Sequence, residues 1–149
     1  MDELFTIGYE KRPIEELVEL LAEARVDVIL DVRDKPVSRK PGFSKRGLAA
    51  ALAKANIGYV HAGFAGNPKS LRDSATSPAE ALRSYERHLD RNPAVLGELS
   101  DLIAKLHGEG KRACLLCLER DPAECHRGIL VRRWKGNTAR KVVSLGIEE

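Results

Sequence analysis

The residues of this chain best suited to chemistry sit in a few short runs, the first being Cys125-His126-Arg127. A cysteine opening a helix meets unpaired N–H groups and the positive end of the helix dipole, which favour the thiolate. With His126 and Arg127 beside it, Cys125 is a candidate nucleophile of lowered pKa. Arg127 is alternatively a bidentate clamp for a phosphate or carboxylate at the same helix end. A buried small cysteine, a capping histidine and a solvated arginine would account for the same three residues. Glu119 closes an apolar run. It is a candidate general base, an orienting partner for His126 or Arg127, or half of a structural ion pair. In Asp31-Val32-Arg33 the two charged side chains fall on one side of a strand, because strand side chains alternate. They form one wall of a pocket or simply pair with each other. Cys114 and Cys117 have the spacing of a redox or zinc pair, but residues three apart in a strand point to opposite faces, so neither reading is expected. A metal held by Cys117, Cys125 and His126 has no identifiable fourth ligand in the sequence, and no metal is expected. The chain carries no P-loop, dinucleotide fingerprint, HExxH motif or nucleophile elbow, so no cofactor is assigned.

The elements that must position these residues are legible as periodicities. Leu4 to Gly8 reads as a short buried strand. Pro13 suits a first helical position, and Ile14, Leu17, Val18 and Leu21 then recur on one helical face. Val26–Val32 is β-branched and nearly all apolar, as in a strand covered on both sides. A loop rich in Pro, Gly and basic residues follows from Arg33 to Phe43. Ser44 is placed to cap a helix that buries Leu48 and Leu52 and ends at Gly58. Tyr59–His61 reads as a third strand, and Ala62–Thr76 as a long, functionally suggestive loop. Ser77-Pro78-Ala79-Glu80 is a capping box opening a helix with Leu82, Tyr85 and Leu89, and Asn92-Pro93 starts another. Ala113–Leu118 is the most apolar strand, a turn over Arg120–Glu124 leads to a helix from about Cys125 to Trp134, and Lys141–Leu145 is a last strand. Strands alternating with helices predict one α/β domain over residues 1–149. Its mainly parallel sheet of about five strands carries helices on both faces, a Rossmann-like three-layer arrangement. Such sheets bind ligands beyond the carboxyl ends of their strands, where Tyr9, Glu10, Asp31, Arg33, His61, Glu119 and the Cys125 run are expected to meet.

The chain has 149 residues, 43% hydrophobic and 32% charged, with aromatics at only 5%, which argues against a base-stacking surface. Its net charge of +3 hides a polarised distribution. Ile14–Asp27 holds five acids against Arg25, Asp31–Arg46 six basic residues against two acids, and Cys125–Lys141 six basic residues and no acid. Basic segments beside the candidate pocket suit an anionic ligand, a small molecule or a nucleic acid. No apolar run approaches the roughly 20 residues of a membrane span. The acidic Met1-Asp2-Glu3 start is the reverse of a signal peptide, and three cysteines do not make a disulfide framework. A cytoplasmic location, away from membranes, is expected.

The runs FTIGYE, DVRDKPVSRKPGFS, IGYVH and LLCLERDPAECHR, in this order, resemble the family known as domain of unknown function 488. The resemblance implies a small α/β domain and brings no reaction with it. It places motif residues at Tyr9, Asp31, Arg33, Pro36, Ser38, Phe43, Tyr59, Glu119, Cys125, His126 and Arg127. The chain departs from it at Phe64-Ala65-Gly66, where similar sequences have Leu-Gly-Gly, and matches weakly over Asn137–Glu149. The expected function is an enzyme of hydrolase or transferase type acting on a phosphorylated or other anionic substrate. Cys125, His126, Glu119 and Asp31 would be catalytic; Arg127, Arg33, Tyr9, Ser38, Arg39, Phe43 and Tyr59 would bind substrate. The alternatives are a non-catalytic nucleic-acid-binding module and a ligand-sensing or protein-interaction domain.

Overall fold

The computed structural model describes residues 3–147, so Met1 and Asp2 of the acidic start lie outside the described residues. Strands β1 (Glu3–Gly8), β2 (Val28–Asp31), β3 (Gly58–His61), β4 (Ala113–Cys117) and β5 (Lys141–Ser144) form one sheet in the order β3-β2-β4-β1-β5. Every pairing in it is parallel. The α-helices are α1 (Ile14–Glu23), α2 (Lys45–Lys54), α3 (Lys69–Ser74), α4 (Pro78–Arg91), α5 (Pro93–Gly108) and α6 (His126–Lys135). The expected α/β class is the class observed.

Strand alternation builds two cores. Leu4, Val28, Leu30, Leu115 and Cys117 face one side, where α4, α5 and α6 supply Tyr85, Leu99, Ile103, Leu130 and Trp134. Phe5, Ile7, Ile29, Cys114 and Leu116 face the other, closed by Leu17 and Leu21 of α1 and Leu48 and Leu52 of α2. Each fully buried Leu or Ile contributes about 1.5–3 kcal/mol relative to exposure, which is why the inner strands read as unbroken apolar runs. Cys114 and Cys117 lie in opposite cores, as strand geometry requires.

Several local expectations shift. Pro13 is the N-cap of α1, in extended backbone, one position ahead of the first helical residue. Ser44 is the N-cap of α2, but its hydroxyl exchanges hydrogen bonds with the backbone of Ser38 (3.0 and 3.1 Å) and leaves the helix uncapped by a side chain. That helix ends at Lys54, where Asn56 takes the left-handed turn at φ 61°, and Gly58 belongs to β3. The Ala62–Thr76 segment contains α3 and a 3-10 turn over Gly63–Ala65. Cys125 is the N-cap of α6, just outside its first turn. Among the described residues no helix is long and apolar enough to cross a membrane.

Candidate functional site

The chain leaves β1 and β2 through α1 and α2 on one face of the sheet, and β3 and β4 through α4, α5 and α6 on the other. The connections leaving the adjacent carboxyl ends of β1, β2 and β4 therefore diverge to opposite faces, which forms the crevice where open α/β sheets receive ligands. A cleft of about 260 Å³ opens there. Its floor and near wall are Tyr9, Arg33, Cys117, Glu119 and His126; its rim carries Asp34, Lys35, Glu124, Asn67 and Arg72.

Beneath the floor lies a closed polar assembly. The Asp31 carboxylate is fully buried. It accepts hydrogen bonds from Arg33 Nε (2.8 Å) and Arg33 Nη2 (2.7 Å), from the Arg33 backbone N–H (3.1 Å) and from the Tyr59 hydroxyl (2.5 Å). Arg33 Nη1 donates to the Phe43 carbonyl (2.6 Å) and lies 3.3 Å from the Tyr9 hydroxyl. Burial pulls the Arg33 pKa down, but the bidentate bonds and charge of Asp31 outweigh it and hold the guanidinium protonated. Burial and then Asp31 push the Tyr59 phenol up. Phe43 stacks on Tyr9 with ring centroids 4.6 Å apart, and the Arg33 guanidinium lies 5.3 Å from the Tyr9 ring centroid. Asp31 and Arg33 thus pair, the blander of the two readings. Of this assembly Tyr9 and Arg33 reach the cleft, while Asp31, Phe43 and Tyr59 stand behind them.

Arg127 is fully buried on the other side of the sheet. Its Nε donates to Thr6 Oγ1 (2.5 Å), and its Nη atoms donate to the carbonyls of Glu119 (2.6 Å) and Arg120 (3.2 Å). These donors hold the turn that presents Glu119. Gly8 makes the same turn possible: a Cβ there would lie 1.8 Å from the Glu119 carbonyl oxygen.

Cys117, Cys125 and His126 form a buried cluster whose Sγ and ring-nitrogen atoms lie within 4.8 Å of one another. His126 Nδ1 is 3.6 Å from Cys117 Sγ and 3.9 Å from Cys125 Sγ, and Cys117 Sγ donates to Glu119 Oε2 at 3.8 Å. His126 Nε2 is 2.7 Å from the Val32 carbonyl, which can only accept, so Nε2 carries the proton and Nδ1 turns its lone pair to the thiols. The imidazole and the Tyr85 ring meet in a T-shaped contact, ring centroids 5.1 Å apart. The Tyr85 hydroxyl is committed to the Ala65 carbonyl at 2.6 Å. Burial pushes the Cys125 thiol well up, with Cys117 adding to it and His126 opposing it. This reverses the lowered pKa expected of a cysteine at a helix start, because loss of solvent outweighs the dipole. Burial also opposes protonation of His126, but Cys125, the Val32 carbonyl and Glu119 outweigh it and the net direction is up.

The family profile described as "Domain of unknown function DUF488" matches residues 13–134, most of the chain. The chain belongs to the DUF488 family. No curated protein and no solved structure matches it.

The matched span of this DUF488 domain covers the cleft except Tyr9, which precedes it. Ser38 is half-buried and braces the β2–α2 loop through Ser44, and Arg39 is exposed. Neither lines the cleft, and Cys125 lies behind His126. The structure adds residues the motifs did not single out for the site. Lys35 and Arg72 bring rim cations, Cys117 brings a thiol to the cleft wall, and Asn67 is 6% exposed with its Oδ1 unpartnered among the described residues. Lys35 had a signal, standing two residues after Arg33. Asn67 and Arg72 had none, because they reach the cleft only through the fold of the β3–α4 segment.

Proposed function

We propose that this DUF488 domain is an enzyme of hydrolase or transferase type that takes a small anionic substrate in the cleft at the carboxyl ends of β1, β2 and β4. The observation that carries this reading is the meeting, across one cleft, of the rim cations Lys35 and Arg72 with the half-exposed carboxylate of Glu119. Lys35 and Arg72 bind the anion, Arg72 turning from its 3.8 Å ion pair with Asp34 to do so. Arg33 and Arg127 have most of their donors committed within the protein, so they act as framework rather than as clamps. Glu119 is the acid/base group, because the His126 ring is held by the Val32 carbonyl and the thiols while Glu119 reaches the cleft. Asn67 supports the reading. A buried amide oxygen without a protein partner is costly unless a ligand or water meets it, and the amide can present either its donor or its acceptor end.

The test has two parts. Inorganic phosphate and pyrophosphate titrated into isotope-labelled protein are expected to perturb the amides of Arg33–Lys35, Asn67 and Leu118–Glu119, and the Lys35→Ala/Arg72→Ala double variant is expected to lose that response. A panel of chromogenic phosphomonoesters and phosphodiesters then reads turnover, which Glu119→Gln is expected to lower about 10²–10⁴-fold while leaving phosphate binding in place. Perturbations confined to surfaces outside the cleft, or turnover indifferent to Glu119→Gln, would overturn it.

A further inference from the structure

The thiol–imidazole cluster has no part in the acid/base reading, yet its geometry is specific. We propose that Cys117 Sγ, Cys125 Sγ and His126 Nδ1 bind a tetrahedral, thiophilic divalent metal ion of the zinc type, with the fourth position turned toward the cleft. A zinc ion sits about 2.3 Å from thiolate sulfur and about 2.0–2.1 Å from imidazole nitrogen, so tetrahedral angles place sulfur and nitrogen roughly 3.6 Å apart. The two Sγ···Nδ1 separations are 3.6 and 3.9 Å. All three ligand atoms lie within 4.8 Å of one another, and rotation of the two cysteine side chains brings the sulfurs to the roughly 3.8 Å that a tetrahedral centre sets between them.

Three further features fit. A metal-binding histidine ordinarily donates its other ring N–H to a carbonyl or carboxylate, fixing the tautomer, and His126 Nε2 does so to Val32 at 2.7 Å. The charge balances: two thiolates and a neutral imidazole make a neutral centre around a dication, which lowers the cost of burying it. The cluster also has a cleft side. Cys117 and His126 line the cleft and Cys125 lies behind them, and the Glu119 carboxylate stands 3.8 Å from Cys117 Sγ on the open side. A water molecule entering from the cleft beside Glu119 is thus the fourth ligand that the sequence does not show. Three protein ligands and one exchangeable position are the pattern of reactive rather than purely structural zinc sites. On binding, the Cys117 and Cys125 thiols each release a proton to solvent, so two protons leave per metal ion and no electron is transferred.

The site stands independently of the anionic-substrate reading, and its test needs no turnover. Full-length protein purified without chelator is assayed for bound zinc, then stripped and titrated with Co(II) under reducing conditions. The expected result is one equivalent of metal and a thiolate-to-cobalt charge-transfer band with the intense visible d–d bands of a tetrahedral centre. Cys125→Ser and Cys117→Ser are each expected to weaken binding by more than the roughly 10–100-fold that loss of an outer-shell partner brings. Cys114→Ala, in the opposite core, is expected to leave stoichiometry and spectrum unchanged. Glu119→Gln is expected to keep the charge-transfer band and alter the d–d envelope. Should the serine variants fail to fold, metal-dependent protection of Cys117 and Cys125 from alkylation in the wild-type protein gives the same information. An octahedral cobalt spectrum, a stoichiometry well below one, a spectrum unaffected by Cys125→Ser, or a Cys117–Cys125 disulfide that forms in preference to metal uptake would each overturn the site. Phosphate titration of the stripped protein separates this result from the fate of the anion-binding reading.

Discussion

Asp31 has no exposed surface, and its carboxylate satisfies four hydrogen bonds, three from Arg33 and one from Tyr59. Such a pair adds little net stability over an apolar replacement, but breaking it strands a buried charge. Asp31→Ala is accordingly expected to cost about 3–5 kcal/mol, read as a fall in the urea midpoint at unchanged slope. Tyr59→Phe removes only the phenolic bond and is expected to cost roughly 1–2 kcal/mol. A loss in Asp31→Ala no larger than in Tyr59→Phe would show that Arg33 re-solvates. Residue type alone marked Asp31 and Arg33 as important, but not as a framework beneath the cleft. One side-chain donor of Arg33 and two of Arg127 go to backbone carbonyls, and those acceptors leave no trace in a sequence because every residue carries one.

Helix α4 shows what local spacing specifies and what it leaves open. The Ser77-x-x-Glu80 pattern produces half of a capping box: the Glu80 N–H donates to Ser77 Oγ at 3.1 Å. The Glu80 carboxylate instead accepts from Arg87 (2.9 Å) and Arg83 (3.2 Å). The hydrogen bond from Arg87, reinforced by Arg83, holds its pKa below the ordinary carboxylate value. A depressed folded-state pKa means stability that is present above the unfolded value, about 4.3, and lost as pH falls through the lower folded one. Glu80→Gln is therefore expected to melt below the parent at pH 7 and to converge with it in acid below that range. A gap in melting temperature that stays constant with pH would remove the ion pairs from the account. The elements themselves were legible from periodicity, and their ends less so. Gly58 reads as a helix terminator, yet Asn56 takes the left-handed turn and Gly58 enters β3. Helix α3 was hidden inside an apparent loop because its six residues bury no side chain fully and so show no apolar period.

For the molecule as a whole, most of the charge of the second basic segment, Cys125–Lys141, is satisfied within the protein. There Arg127 is buried, Arg132 and Arg133 pair with Glu86 and Asp90, and Arg140 lies over Trp134. Four of its six cations are thus engaged within the protein, leaving little for a phosphate backbone. Binding to a duplex DNA oligonucleotide at 0.15 M salt is expected to be no tighter than about 10⁻⁶ M, the non-specific range. Tighter binding with a steep salt dependence in fluorescence anisotropy would favour the nucleic-acid module instead. The amino-acid sequence determined the α/β class, the parallel character of the inner strands and the facing of Cys114 away from Cys117, because each follows from short-range periodicity and alternation. Only the tertiary structure decided that β4 inserts between β2 and β1, and with that which strand ends share a cleft. It also brought Cys117 to His126 across nine residues and Asn67 and Arg72 to the cleft rim. Those meetings depend on crossovers and on competition for buried hydrogen bonds, neither of which is encoded in the spacing of neighbouring residues.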